Sequence, residues 1–336
     1  MAKVSIARIR ERSRALLVSW GVPDVQAALI ADTIAYAHRR GKHTHGVTRL
    51  GIYRRKIMRG LMTPETRCET VKDFAALAVL DCGNGFGQVA ADAAMRLAVE
   101  KAARFGMGSV FVRNSNNFGV AGYFAEIASA AGMAGFVVTA SAPAVAPPGG
   151  RKAIFGTNPY CYAFPSRNGG IVLDMSVSVA ARGKIRLALK NGENIPPDWA
   201  VDENGRPTVD PAAALRGNLT AIGGFKGFGL ALVADVLGGL LSGSAFGGAI
   251  RPLAAEDGPS RHGHFLSAID ISKLMDEDEY ARKMSELEAN VKACGASGAV
   301  LLPGERSRRL AETCGESVEL KQSVVDEFES LEEGLG

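Results

Sequence analysis

What this chain lacks narrows the field before what it contains does. It has 336 residues and five cysteines, Cys68, Cys82, Cys161, Cys294 and Cys314, with no CxxC and no paired spacing. An odd count without a scaffold pattern argues against a disulfide framework and predicts reduced thiols in a cytoplasmic protein. Core packing is the plain role for each thiol, and catalysis by one of them is the alternative. No uninterrupted apolar run approaches the length needed to cross a bilayer, so no spanning helix is expected. Residues 1–20 carry alternating charge and read as an amphipathic helix rather than a signal peptide. Net charge is small, +4, with Lys and Arg scattered among acids and no block of basic and aromatic residues, which leaves nothing for a nucleic acid to grip. Internal repeats and low-complexity tracts are missing as well.

What remains is the composition of a soluble globular protein with a substantial core: 47% hydrophobic and 22% charged residues. The length suits one large domain with a smaller one attached.

Taken in order, residues 5–20 and 24–40 read as a helical hairpin broken at Gly21 and Pro23. A further helix runs to Gly60, with Pro64 beyond it. FAALAVL (74–80) has strand character, and DCGNGFG leads from it into a long helix from about Gln88 to Phe105. A short strand at 110–112, a helix at 120–131 and a strand at 135–140 follow, an order that indicates α/β layers. Residues 141–159 are rich in Pro and Gly and form a long loop of the kind that carries function. Strands at 160–164 and 170–173 flank SRNGG, the stretch 174–189 becomes helical, and 191–218 is a polar surface excursion. GGFKGFGLALVADVLGGLL (223–241) is the most apolar helix and is expected at the centre, with Gly238 and Gly239 permitting close backbone approach. A strand at 265–269, a charged helix at 276–294, a short strand and turn at LLPGERS, and helices from Ser307 and Ser323 complete the chain. The last helix packs through Val324, Val325, Phe328 and Leu331.

The chemistry concentrates in RGKHTHGVTRLGIY (40–53). His45 falls at a junction between helices, followed by Gly46, where a side chain can point into a cleft. An imidazole there can pass a proton to a substrate, or it can be a satisfied turn histidine. Thr44 offers a hydroxyl to a carboxylate, and Arg49 offers a bidentate guanidinium unless it serves a surface ion pair. Arg49 and Tyr53 lie four apart and share a helical face. His43 and His45 form one HxH pair and His262 and His264 another. Such pairs admit a metal-dependent hydrolase, although no acids stand beside the first pair to complete a site, and His38, His262 and His264 suit structural roles. Gly83, Gly85 and Gly87 space as GxGxG rather than GxGxxG, so they read as a tight helix entry and not a Rossmann fingerprint. Asp81 closes that turn. GGFKGFG places Lys226 at the start of a helix, a position that attracts phosphate or merely exposes a lysine. DMSVS (174–178) and the turn Gly304–Glu305–Arg306 are two further candidates.

Together RGKHTHGVTRL, NSNNFGVAGYF, PPGGRKAIFGTNP, LDMSVSVAARGKI, GGFKGFGLAL and LPGE resemble the malate/L-lactate dehydrogenase family that lacks a classical Rossmann domain, over about residues 5–320. That resemblance implies an α/β fold in which helices surround a central mixed β-sheet. It also implies a helical N-terminal region at 1–75 packed with C-terminal helices on the substrate side, an NAD(P)-binding core at 76–260, and a completing strand and helices at 261–336. It implies an NAD(P)-dependent oxidoreductase that moves a hydride between the cofactor and a small 2-hydroxy/2-oxo acid, with a cyclic-imine carboxylate reductase as the alternative and no metal. By the same resemblance His45 is the proton donor or acceptor, and Thr44, Arg49, Tyr53 and Asn117 contact substrate. The cofactor-binding set is Ser141, Thr157, Asn158, Asp174, Met175, Ser176, Phe225, Lys226, Gly304, Glu305 and Arg306. A homodimer is implied whose partner contributes to the active cleft. Two departures stand out. Thr44 replaces the usual serine, and Asn117 replaces a histidine common in NSNHFG, so that position cannot titrate. The second departure raises a non-catalytic dinucleotide-binding protein as a further reading.

Overall fold

The computed structural model describes residues 1–296 and 298–331. A short strand β1 (Ala2–Ser5) runs into α1 (Ile6–Ser19), whose first turn is capped by the Ser5 hydroxyl accepting from the Arg8 N–H at 3.0 Å. α2 (Asp24–Arg39) returns antiparallel to α1, and α3 (Leu50–Met58) follows two single 3₁₀ turns, His43–His45 and Val47–Arg49. The anticipated single strand at 74–80 is instead a hairpin, β2 (Glu69–Phe74) and β3 (Leu77–Asp81). Ala75, with φ of 45°, takes the turn between them. The apolar run hid the break because neither turn residue is Gly or Pro.

α4 (Gly87–Phe105), β4 (Met107–Ser115), α5 (Ala121–Ala130), β5 (Met133–Thr139), β6 (Tyr160–Phe164) and β7 (Ile171–Met175) build the middle of the chain. Beyond them come α6 (Arg182–Asn191), β8 (Ala200–Val201), α7 (Pro211–Arg216) and β9 (Asn218–Leu219), so the polar excursion carries its own small core. α8 (Phe225–Asp235) continues through a π-helical turn, Val236–Leu240. β10 (His262–Asp270), α9 (Glu277–Ala293), α10 (Glu305–Thr313), β11 (Ser317–Leu320) and α11 (Gln322–Ser330) finish the described chain. No strand forms at LLPGERS; α10 starts there instead, behind a turn closed by the Glu305 carboxylate, which accepts the Leu302 N–H at 3.0 Å.

The main sheet has seven strands in the order β2-β3-β4-β10-β5-β6-β7 and is mixed: β3 and β4 run parallel, while every other neighbouring pair is antiparallel. β10, from late in the sequence, lies in the middle of it. The expected division at 75/76 therefore falls in a hairpin turn of this sheet, and that at 260/261 just ahead of its central strand. α4 and α5 cover one face, and small residues set the distance. Ala90, Ala91, Ala94, Ala98 and Ala102 are fully buried, and a Cβ on Gly108 would stand 2.0 Å from the Ala98 carbonyl. A second core joins α1, α2 and α3 to β11 and α11, with Val325, Phe328 and Leu331 buried. β1 pairs with β11, a two-strand sheet too short to show in the sequence.

The apolar helix α8 is not buried at the centre. Phe225, Leu232, Val233, Leu240 and Leu241 are all exposed, with Phe225 at 70%. Only its inner side meets the sheet, where a Cβ on Gly238 would lie 2.8 Å from the Ala140 nitrogen.

Candidate active site

The site is built around the turn after α2. His38, 1% exposed, accepts the Val47 N–H through Nε2 at 3.0 Å, which places its proton on Nδ1 and aims it at Nδ1 of His43, 3.0 Å away. One buried imidazole thus clamps both ends of the turn holding Thr44 and His45. Burial, with His43 nearby, lowers the His38 pKa to about 4.

His45 is half-buried, and its Nδ1 lies 3.1 Å from the Thr44 hydroxyl. Burial first, then the charges of Arg49 and Lys42, bring its pKa down to about 4, with Asp174 opposing them. The imidazole is therefore neutral at neutral pH. Arg49 donates from Nε to the Thr44 carbonyl at 2.8 Å and forms no ion pair among the described residues, which leaves its outer N–H groups for an anion. Tyr53 stands differently from the expectation of a substrate contact. It is 1% exposed, packs on Phe86 with ring centroids 5.4 Å apart, and its hydroxyl accepts from Gln88 Nε2 at 2.8 Å. It supports the turn from behind.

Asn117 folds its own loop, its Oδ1 accepting the Gly119 N–H at 3.0 Å ahead of α5. The neighbouring Phe118 ring packs at a tilt against His264, with ring centroids 4.7 Å apart. In the second HxH pair both histidines are buried; His264 has both nitrogens engaged, with Thr139 Oγ1 at 2.7 Å and Ser115 Oγ at 3.0 Å, while the Nδ1 of His262 is buried without a hydrogen-bond partner among the described residues. Among the described residues there is no group of three or more His, Cys, Asp or Glu placed to hold a metal.

The segment 174–183 threads the remaining candidates together. Asp174, at the end of β7, pairs with Lys42 and accepts the Gly122 N–H at 3.2 Å in the first turn of α5. Met175 and Ser176 follow it, half-buried, and the Ser176 hydroxyl lies 3.2 Å from that of Ser178. Val177 bonds to the Thr157 carbonyl at 2.9 Å, and its own carbonyl accepts the Ile222 N–H at 2.9 Å, at the base of the GGFKG turn. Further on, a Cβ on Gly183 would lie 3.4 Å from the Thr44 methyl, so the start of α6 sits over the His45 turn. Arg186, one turn along α6, is close enough for its charge to lower the pKa of both Arg49 and Arg182. Lys42 and Arg186 were missed in the sequence, although Lys42 stands inside RGKHTHGVTRL and Arg186 directly follows LDMSVSVAARGKI.

Asn158 is fully buried. Its Oδ1 accepts from the Ser141 nitrogen at 2.8 Å, and its Nδ2 donates to the Ala231 carbonyl at 2.8 Å, tying the 141–159 loop to α8. Phe225 and Lys226 are exposed at the α8 N-terminus, where Gly223 and Gly224 take φ of 57° and 61°. Gly304 and Arg306 line a cleft of about 370 Å³ together with Tyr36, Arg40, Lys42 and Asp174. Glu305 turns away from it: 3% exposed, it binds Arg309 at 2.6 Å and Lys292 at 3.3 Å, and its pKa is lowered to about 2, chiefly by the Leu302 N–H.

A dinucleotide fits the observed donor set. Three cations, Arg40, Lys42 and Arg306, edge the cleft. Glycine is required at 304, where a Cβ would stand 2.7 Å from the Val172 carbonyl. Near this cleft, in a non-Rossmann mixed sheet, stand a neutral imidazole, His45, and a guanidinium, Arg49, with no ion pair among the described residues. Residues 4–329 match the family described as malate/L-lactate dehydrogenase, and the chain belongs to that family. It is 36% identical to L-sulfolactate dehydrogenase of Methanothermobacter thermautotrophicus, over 93% of this chain and 91% of the relative. It is 38% identical to a malate dehydrogenase of Pyrococcus abyssi, over 82% and 78%. Among solved structures, sulfolactate dehydrogenase from Methanocaldococcus jannaschii superimposes with a TM-score of 0.94 at 34% identity, covering 100% of this chain and 98% of that one. Family membership supports a dehydrogenase activity.

Proposed function

We propose that this chain is an NAD(P)-dependent oxidoreductase that interconverts a small 2-hydroxy acid and its 2-oxo acid, with a second anionic group on the favoured substrate. The observation that carries the reading is Arg49: half-buried, unpaired by any described carboxylate, and held beside His45 through the Thr44 carbonyl. Arg186 adds the second positive charge. Malate and sulfolactate, named for the relatives above, are acids of this kind.

The bound nicotinamide supplies the hydride chemistry. Arg40, Lys42, Asp174, Gly304 and Arg306 would line its cleft, with Lys226 in the GGFKG turn that Val177 ties to this segment through Ile222. Arg49 would hold the substrate carboxylate in a two-point grip, fixing C2 relative to His45. With Nδ1–H donated to Thr44, the free Nε2 of neutral His45 takes the C2 hydroxyl proton during oxidation and returns it during reduction. The imidazolium formed would be favoured by Asp174 and by the substrate carboxylate, which neutralises Arg49. Asn117 holds a loop and takes no proton in this scheme.

The exposed apolar side of α8 and its π turn supports a second copy of the chain as partner, brought near the GGFKG turn, and so a homodimer in which each subunit borders the other's cleft. Cytoplasmic residence remains the expectation from cysteine usage.

An absorbance screen at the reduced-nicotinamide band tests the reading. NADH and NADPH would be offered separately with oxaloacetate, sulfopyruvate, pyruvate, 2,3-diketogulonate and the piperideine- and pyrroline-2-carboxylates. Consumption with a dianionic oxo acid is expected. Consumption only with a cyclic imine would replace the substrate class. Tight cofactor binding with no turnover of any compound would point to the binding-only reading raised by Asn117.

A further inference from the structure

Two of the five cysteines, 14 residues apart, meet in space. β2 and β3 pair Glu69 with Asp81, so Cys68 and Cys82 face each other one step beyond the ladder. Their Sγ atoms are 2.9 Å apart. Cys82 is fully buried, whereas Cys68 is half-buried and reachable from solvent. Among the described residues no other cysteine has a sulfur partner. Cys161 lies in the main core, and Cys294 and Cys314 bond only to carbonyls of their own segments.

We propose that Cys68 and Cys82 form a reversible oxidation site, in which a hydroperoxide converts the pair to an intramolecular disulfide. The Cys68 thiolate attacks the peroxide O–O bond, giving a sulfenic acid and releasing hydroxide or alkoxide. The Cys82 sulfur then attacks the sulfenic sulfur, forming the S–S bond and expelling water, with the Cys82 proton going to the leaving oxygen. The two thiols lose two electrons and the hydroperoxide gains them, so one peroxide yields one disulfide and no further reagent. A dithiol reverses the reaction by exchange.

The division of roles follows from the surroundings. The hydrogen bond from Cys82 lowers the Cys68 pKa, while the same bond and burial raise that of Cys82, so Cys68 is the attacking sulfur and Cys82 the resolving one. Closure would bind the stretch ahead of β2 to the turn that starts α4. That stretch is already anchored: Thr66 exchanges two backbone bonds with the Gln26 side chain, each 2.9 Å, and its hydroxyl accepts the Phe86 N–H at 2.8 Å. Little backbone movement is therefore needed.

The test uses the full chain, reduced and desalted, treated with hydrogen peroxide and then iodoacetamide, and digested with trypsin without reductant. Peptides 68–72 and 73–96 should appear joined, two hydrogens lighter than their sum, and separate again after dithiothreitol. Cys161, Cys294 and Cys314 should remain alkylated. Cys82→Ser should stop at the sulfenic acid, captured by dimedone on Cys68, and Cys82→Ala should give the same adduct should a buried serine disturb the fold. The oxidised wild type should melt at a higher temperature than the reduced protein, and Cys68→Ser should lose that rise. Free alkylated Cys68 and Cys82 after peroxide, or first oxidation at Cys294, would overturn the proposal.

Discussion

A Cβ on Gly46 would lie 2.1 Å from Nε2 of His38, the nitrogen that accepts the Val47 N–H. The His45 turn is therefore shaped by a buried histidine that presses where only glycine leaves room. Gly46→Ala must displace the ring or the turn, and either movement shifts His45. A displacement of about 1 Å is enough to cost on the order of 10²-fold in turnover. Steady-state kinetics with circular dichroism as the folding control reads this, and an alanine variant with normal kcat would show that the contact does not position His45.

His45→Ala should lower kcat for hydroxy-acid oxidation by about 10²- to 10⁴-fold. Cofactor affinity, followed by nicotinamide fluorescence, should stay within a few-fold. Loss of cofactor binding with retained turnover would reverse the assignment.

The pH profile carries its own sign. In the free protein His45 has a pKa of about 4, so the base form needed for oxidation persists until pH falls through that value. The acid limb of kcat/KM is expected near there. A bound carboxylate removes the repulsion from Arg49, so the limb in kcat should lie at higher pH than that in kcat/KM. Limbs in the opposite order would contradict the proposed contact between substrate and Arg49.

Arg186→Ala should raise KM about tenfold for a dianionic oxo acid and leave that for a monoanionic one nearly unchanged, a difference of about 1.4 kcal/mol. Equal effects on both would mean that Arg186 acts only on the general field of the cleft.

Three buried histidines make the fold acid-sensitive. Burial lowers the pKa of His38 and His262 to about 4 and that of His264 to about 3. The unfolded chain takes up these protons near pH 6.5, while the folded chain cannot. Their contribution is thus complete above about pH 6.5 and is lost as pH falls towards 4, by up to about 1.4 kcal/mol per pH unit for each. Urea unfolding at stepwise pH checks this, with His264→Gln expected to flatten the slope. A stability that stays level from pH 7 to 4.5 would refute it.

The sequence by itself determined the order of most elements and most of the chemical inventory, because those are local properties. Apolar periodicity marks α2, α4 and α5, and motif composition marks the His45 turn, DMSVS and GGFKG. It could not place β10 at the centre of the sheet, pair β1 with β11, expose α8, turn Tyr53 and Glu305 inward, bring Arg186 towards Arg49, or set Cys68 against Cys82. Each of those depends on contacts between residues distant along the chain, or on which side of an apolar element meets the core. Apolar residues look alike in sequence whether the core or a partner is to cover them, and a polar side chain does not declare its partner. Only packing, which satisfies buried hydrogen bonds and excludes overlap across the whole molecule, decides between them.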